Sequence, residues 1–331
     1  MPLGNYGVLK ARPIARRLAT HANAHYQVHL IDINEDTDYR IAINVRSKLS
    51  PSELEYMIVD NYQHPILAEL PDLPFGFNTI ERQPGGIALD FIRGNLFDPT
   101  QMQPLPFDQP GPNNDLNEFI DAHIQPALSD QEALIYAFGE RWGPESQRDK
   151  VFGFRPGNGI HDIHMNQGNA GNFASQDGVW QDGTLFIHFP SLDRWAAVFL
   201  KFQSQCWHTD DVKGHCIEDA QEPLLDEVIR IVAALPNPAS GAPEDETVTL
   251  LNTSPGPIEL TGWAIADRQK HKHVLSGSIA EGQTVVIHLP QSVQLGNKGG
   301  AISLLNPDGL KADGVSYTRE QAQREGWTVV F

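Results

Sequence analysis

The stretch that decides the fold of the C-terminal part is VTLLNTSPGPIELTGWAIAD, residues Val248–Asp267. It holds two short apolar runs, separated by Asn, Ser, Pro and Gly residues that favour turns. Two further runs of the same kind follow, at Gln283–Leu289 and Gly300–Leu305. Several short strands at this spacing predict a β-sandwich or a β-barrel.

Trp263 is the largest apolar side chain of this stretch. We expect it to anchor the core, because one large aromatic ring contributes heavily to the core of a small sandwich. Gly262 would let the chain turn tightly just before it. A role for Trp263 in stacking against a ligand is the alternative.

Both ends of this region resemble the lamin tail domain. VTLLNTSPGPIELTGWAIAD is similar to the opening of that family, and LGNKGGAISLLNPDGLKADGVSYT, residues Leu295–Thr318, to its closing half. The resemblance implies an immunoglobulin-like sandwich. It also implies a module that serves targeting or binding and that bacteria often join to hydrolases, including nucleases.

A Pro-, Gly- and Ser-rich segment separates this region from the rest of the chain. We predict a domain over residues 1–236, a linker over 237–244 and the sandwich over 245–331. The apolar spacing in Pro223–Leu235 predicts a helix at the end of the first domain. The predicted fold class is mainly β with α/β elements, a mixed β-rich α+β domain followed by an immunoglobulin-like β-sandwich.

Several elements of the first domain follow from hydrophobic periodicity. Tyr26–Ile33 and Tyr39–Arg46 alternate around a polar turn and predict a hairpin. Ser50–Glu53 looks like the start of a short helix, and Asn114 or Asp115 like the cap of another. Leu134–Phe138 and the run that starts at Trp195 are apolar throughout, which is typical of buried strands.

The formal net charge is −18 over 331 residues, of which −15 lies before Glu244 (17 bases, 32 acids) and −3 from there on (7 bases, 10 acids). This acidity weighs against a passive nucleic-acid binder, since like charges repel. Nucleic acid remains open as a substrate, because a bound cation reverses the local field.

With two cysteines, no signal peptide and no long apolar run, we expect a cytoplasmic protein without a membrane partner.

The densest polar constellation lies in two segments, GNGIHDIHMNQGN and FQSQCWHTDD, with a strand between them. If the first is a strand, Asp162, His164 and Asn166 share one face, so we name them as candidate catalytic residues. On the strand between them, His188 would point to the face opposite the hydrophobic core. The candidate metal ligands, which combine imidazole and carboxylate, are His164, His188, His208 and Asp210.

Two other interpretations of this set stay open. The same residues would suit a catalytic or binding cleft without metal, or a structural hydrogen-bond network. If a metal is present, zinc or manganese fits the donor types.

The first domain also resembles a known family, the YukJ-like proteins. The resemblance runs from about Tyr6 to His215, through YGVLKARPI, YRIAINVRS, LDFIRGNLFD, GPNNDLNEFID, GIHDIHMNQGN, DGVWQDGTLFIHFP and FQSQCWHTDD in order. The family is uncharacterised, so the resemblance implies membership and assigns no role to any residue.

The leading functional hypothesis is a metal-dependent hydrolase that acts on a phosphodiester or a similar polar polymer. There the metal would lower the pKa of a bound water, and an Asp or His would take its proton. The alternative is a non-catalytic binding or scaffold protein that docks an unknown protein partner through the β-sandwich. The sequence leaves the oligomeric state open.

Overall fold

A computed structural model of the protein describes residues 6–20, 22–47, 54–79, 96–97, 101–106, 115–161, 183–202, 228–239, 245–307, 309 and 311–331. Strands dominate both halves of the described chain. The predicted fold class, a β-rich domain with helical elements followed by a β-sandwich, is confirmed.

The described N-terminal part forms one ten-stranded sheet and one α-helix. The elements are β1 (Tyr6–Arg17), β2 (His25–Asp32), β3 (Thr37–Asn44), β4 (Leu54–Val59), β5 (Gly76–Thr79), β6 (Gln103–Pro104), α1 (Asp115–Ser129), β7 (Leu134–Glu145), β8 (Gly157–His161), β9 (Gly183–Phe189) and β10 (Arg194–Phe202). Short 3₁₀ helices occupy Pro65–Ala68, Leu70–Asp72 and Pro190–Leu192.

Five of these strands close into a barrel. The first half of the long strand β1 pairs with β7 and its second half with β2. β2 pairs with β3, β3 runs parallel to β8, and β8 pairs with β7. The spatial order of the barrel strands is β1-β2-β3-β8-β7-β1, and along the chain α1 lies between β3 and β7, the third and fourth of them. This is the topology of the OB-fold. β5, β9, β10, β4 and β6 extend this barrel.

The barrel interior is filled by aliphatic side chains from every strand, including Leu30, Ile41, Ile135 and Ile160. The helix α1 contributes Leu116, Ile120 and Ile124 to the same core, all fully buried. These helical residues lie four apart, so one face of α1 is apolar.

A second apolar cluster lies on the other face of β1, β7, β9 and β10. It includes Phe138, Phe186 and Phe199 from the strands and Tyr62 and Leu70 from the segment that crosses them. Both faces of this part of the sheet are therefore buried. That explains why Leu134–Phe138 and the run from Trp195 are apolar throughout, as predicted.

The elements of the described C-terminal part are β11 (Ile229–Leu235), β12 (Thr247–Asn252), β13 (Ile258–Glu259), β14 (Ala264–Ala266), β15 (Lys272–Val274), β16 (Ser278–Ile279), β17 (Thr284–His288), β18 (Gly300–Leu305), β19 (Lys311–Tyr317), α2 (Arg319–Ala322) and β20 (Val329–Val330). The strands form two four-stranded sheets, of order β17-β12-β11-β20 and β15-β14-β18-β19, and the small pair β13-β16.

Trp263 lies in the core between the two sheets, as predicted. Its side chain is buried among residues of both sheets, such as Val248 and Ile302. Gly262 before it has φ +88°, a conformation that favours glycine. The structural role of Trp263 is therefore confirmed.

The helix predicted from Ser50 is wrong where the structure describes this segment. Leu54–Val59 is the strand β4, which pairs along its length with β10. Its Tyr56, Ile58 and Val59 favour strands, and pairing with a buried neighbour overrides the helix-start signal at Ser50–Glu53.

The helix predicted in Pro223–Leu235 is also wrong over the described part of that segment, because Ile229–Leu235 is the strand β11. A register shift between Ile231 and Ala233 moves the buried position from 233 to Ala234. The helical spacing came from Val228, Ile231, Val232 and Leu235, which mix buried and half-buried positions in and just before the strand, so apolar residues on both faces imitate a helix. Since β11 pairs with β12 and β20, the C-terminal sheet begins upstream of the predicted boundary at 236.

Candidate functional site

The outer face of the barrel carries a row of side chains across four strands. His29 on β2 lies opposite Arg40 on β3, and Arg40 lies opposite Gly159 on β8. Gly159 lies opposite Trp142 on β7. Directly opposite residues point to the same face of a sheet, so this outer row combines an imidazole, a guanidinium and an indole.

Gly159 makes room for the indole of Trp142. A Cβ atom at this position would overlap the Trp142 ring and the carbonyl oxygen of Arg40. The Arg40 guanidinium lies 4.6 Å from the centroid of the Trp142 ring, which is cation–π contact. The glycine thus lets an aromatic ring lie flat on the sheet beside a cation.

Asp149 connects this row to the loop that follows β7. Its carboxylate accepts hydrogen bonds from Arg40 Nε at 2.6 Å and from the amides of Val151 at 2.9 Å and Phe152 at 2.7 Å. Burial alone would raise the pKa of Asp149, but these hydrogen bonds outweigh it and lower the pKa. Asp149 is therefore a buried carboxylate that holds the loop in place.

The loop itself, residues 146–156 and called here the β7–β8 loop, is locally basic. Arg148, Lys150 and Arg155 are exposed, whereas Asp149, the one acid of the loop, is buried and paired. Backbone hydrogen bonds within residues 147–157, such as Asp149 N to Phe154 O at 2.9 Å, give it a defined shape. A chain of net charge −18 thus concentrates three cations on one short loop.

Two phenylalanines bring this loop onto the outer row. The rings of Phe152 and Phe154 stack on His29, with centroid distances of 5.0 and 4.9 Å. Arg17 at the end of β1 lies 5.6 Å from the Phe152 centroid. His29 is held from the other direction, since its Nε2–H donates to Asp38 at 2.7 Å. Aromatic rings and cations therefore alternate along the face.

A cleft of about 330 Å³ opens beside the outer row. Its lining includes Arg40, Trp142, Lys150 and His161, with Glu140, Glu145 and Asp149 as acidic members. The cleft is large enough for one small planar group and carries both charges and an aromatic wall.

Two histidines meet at one end of the same face. The Nε2 atoms of His25 on β2 and His161 on β8 are 3.0 Å apart, and their rings are nearly perpendicular. Asn23 Oδ1 lies 3.2 Å from His25 Nδ1. Because Oδ1 only accepts, Nδ1 of the neutral His25 ring carries a proton, and its Nε2 accepts a hydrogen bond from Nε2–H of His161.

Most of the site residues predicted from the sequence lie outside the described ranges. These are Asp162, His164, Asn166, His208 and Asp210. Their predicted roles stay predictions. Within the described ranges, no group of three or more His, Cys, Asp or Glu side chains is arranged to hold a metal ion.

His188, the remaining predicted ligand, lies on β9 against Trp195, with a ring-centroid distance of 3.8 Å. Leu185, Ile187 and Phe189 face the barrel core, so His188 points to the opposite face, as predicted. Burial lowers the pKa of His188, partly offset by Asp193. Its strand pairs with β7 and β10, whereas His161 lies on β8 between β3 and β7, so the two histidines belong to different parts of the sheet.

Sequence reasoning missed Arg40, Trp142 and Asp149, which come from three separate segments. One signal was available: QRDKVFGFRP, residues 147–156, is basic and holds two aromatic residues in an acidic chain. The row on β2, β3 and β8 becomes visible only with the barrel register.

The comparisons with known proteins agree with this two-part architecture. The family model described as "Uncharacterized conserved protein (DUF2278)" matches residues 1–214, and that of the Lamin Tail Domain matches residues 227–319. The "Uncharacterized protein YukJ" of Bacillus subtilis (strain 168) is 43% identical over 222 residues, which cover 66% of this chain and 96% of that protein. Neither helix in the described ranges is long and apolar enough to cross a membrane.

Proposed function

The chain belongs to the DUF2278 family of uncharacterized conserved proteins, and for this member we propose that the barrel binds a short segment of single-stranded nucleic acid. The ligand lies across the outer row and the β7–β8 loop. The observation that carries the proposal is the alternation of cations and aromatic rings on this face.

The topology supplies the first support. OB-folds bind oligonucleotides and oligosaccharides on the face of their second and third strands, between the first–second and fourth–fifth loops. Here these elements are β2, β3 and the β7–β8 loop, and the outer row begins on β2 and β3. This support is analogy between folds, so the chemistry of the face decides the ligand.

The side chains favour nucleic acid over a neutral sugar. Single strands are bound by cations that follow the phosphates and by rings on which bases stack. Arg148, Lys150 and Arg155 provide exposed charge, and Phe152 and Phe154 provide rings on the same loop. A neutral oligosaccharide carries no negative charge that three clustered cations could bind.

The site is also ordered before the ligand arrives. Asp149 fixes the loop backbone, and its ion pair with Arg40 fixes the guanidinium beside Trp142. A preformed site loses less conformational entropy on binding, which improves affinity. The overall acidity of −18 repels nucleic acid elsewhere, so contact is confined to this face.

Fluorescence anisotropy with the full chain and a labelled single-stranded DNA of mixed sequence tests the proposal. Phe152→Ala removes a stacking ring and should weaken binding by about 5- to 150-fold, equivalent to about 1–3 kcal/mol. Phe119→Ala, an exposed phenylalanine on α1, is the matched control and should bind like the parent. Equal affinity of the Phe152 variant and the parent would refute the site.

Hydrolysis of such a polymer by a metal-dependent reaction is the second candidate. The observation that favours it is the His25–His161 pair at the end of the same face. The residues that the sequence nominates for this reaction include Asp162 and His164, which lie outside the described ranges. Loss of full-length labelled DNA after addition of divalent metal, and its preservation in His164→Ala, would support hydrolysis.

A further inference from the structure

We infer that His25 and His161 form a binding site for a divalent transition-metal ion on the outer face of the barrel. The inference concerns metal binding alone and does not depend on the nucleic-acid proposal. It rests on the geometry of the two imidazoles and on the hydrogen bond that orients one of them.

The two side chains lie on strands of the barrel, at the first residue of β2 and the last residue of β8. His25 lies opposite Asn44 on β3, and His161 lies opposite Ala42 on the same strand. The histidines therefore approach each other diagonally across β3, where the small side chain of Ala42 leaves space. Sites built on strands keep their ligands in place better than sites built on loops.

The distance between the Nε2 atoms suits a shared metal. A metal with bonds of about 2.1 Å to both nitrogens that are 3.0 Å apart subtends an angle of about 90°. That is the angle between neighbouring ligands in octahedral or square-planar coordination, which Ni²⁺ and Cu²⁺ favour. A tetrahedral zinc ion would need a separation of about 3.4 Å.

Asn23 supplies the orientation that a metal ligand requires. His25 Nδ1–H donates to Asn23 Oδ1 at 3.2 Å, so Nε2 of His25 accepts a hydrogen bond from Nε2–H of His161, and a metal ion would take the place of that proton between the two nitrogens. Metal-binding histidines in proteins characteristically donate their other N–H in this way, which fixes the tautomer and the ring. Asn23 is therefore a positioning residue for the site.

An acidic side chain lies next to His161. Glu140 on β7 is directly opposite His161 and lines the same cleft. Its negative charge favours a cation in the cleft. With two imidazoles as protein ligands, the other coordination positions are open to water or to an oxygen of a bound anion.

The test is isothermal titration of the full, metal-stripped chain with Ni²⁺, Cu²⁺ and Zn²⁺ separately. His25→Ala and His161→Ala should each weaken Ni²⁺ or Cu²⁺ binding at least about tenfold, and Asn23→Ala should weaken it about 10- to 100-fold. His29→Ala, a histidine of the same face that stacks on two phenylalanines, is the control and should bind metal like the parent.

Thermal unfolding of each variant confirms that it is folded, and His25→Gln provides a second, less disruptive change. Copper EPR of the parent should show nitrogen ligands, and that signature should change in the His25 variants. Absence of saturable binding in the parent would overturn the inference. So would binding that is unchanged in both His25→Gln and His161→Ala, because the metal would then be held elsewhere.

Discussion

At the scale of single residues, the candidate site depends on one glycine and one buried carboxylate. Gly159 makes room for Trp142 on the barrel surface. Asp149 neutralises Arg40 and fixes the loop backbone at the same time. Gly159 lies within the segment GNGIHDIHMNQGN, five residues before His164, and both residues act by placing other groups.

Replacement of Gly159 by alanine should destabilise the barrel by about 1–3 kcal/mol, the usual cost of overpacking. The added Cβ would meet the backbone of Arg40, which cannot move aside as a flexible side chain can. Urea unfolding followed by tryptophan fluorescence measures the change. Gly256→Ala is the control, because a Cβ there meets nothing within 4 Å. Equal midpoints for the two variants would contradict this account of Gly159.

The stability of the parent should fall in acid through Asp149. The pKa of Asp149 is lowered in the folded protein, so its contribution is complete above its unfolded pKa of about 3.9 and is lost as the pH falls further. Asp149→Asn should cost about 3–5 kcal/mol near neutral pH, since it removes the buried carboxylate that neutralises Arg40, whose side chain is 14% exposed and also donates a hydrogen bond to the neutral Gln27.

The same pair of proteins gives the pH test. The difference in unfolding free energy between the parent and Asp149→Asn should be constant from about pH 7 to pH 5 and shrink below about pH 4. A difference that stays constant down to pH 3 would show that the carboxylate charge is not responsible.

At the scale of elements, the helix α1 is fixed to the barrel by a polar contact as well as by its apolar face. Tyr26 on β2 donates a hydrogen bond to Asp121 at 2.6 Å, and Arg16 forms an ion pair with the same carboxylate. Asn117 accepts a hydrogen bond from the amide of Ala19 at 3.0 Å. These contacts close the end of the barrel that the helix covers.

Asp121→Ala should therefore destabilise the N-terminal part by about 1–3 kcal/mol, because the buried hydroxyl of Tyr26 loses its acceptor. Glu118→Ala, an exposed acid on the same helix, should change stability by less than about 0.5 kcal/mol. Thermal unfolding monitored by circular dichroism compares the two. Similar losses in both variants would mean that helix charge, and not this contact, matters.

Local hydrophobic periodicity predicted the elements whose burial in the folded protein follows the same period. The hairpin β2–β3, the helix from Asp115 and the buried strands β7 and β10 follow directly from the sequence. β11 could not be predicted, because apolar residues on both of its faces imitate helical spacing. The outer row could not be predicted for a different reason, since its members meet only through the non-local pairing of β3 with β8.

At the scale of the whole molecule, charge is distributed unevenly. The chain carries −18 overall, yet the β7–β8 loop presents three exposed cations and no exposed acid. An anionic polymer is repelled by most of the surface and attracted at one face. Binding should therefore be weak at physiological salt, short in footprint and strongly dependent on ionic strength.

The salt dependence of single-stranded DNA binding by the full chain tests the central claim most directly. If three cations contact phosphates, log Kd should rise with log salt concentration with a slope of about 2. Lys150→Glu should weaken binding and lower that slope, whereas Lys298→Glu, an equal charge change at an exposed lysine of the C-terminal domain, should not. Absence of binding at low salt, or equal slopes for all three proteins, would contradict the account.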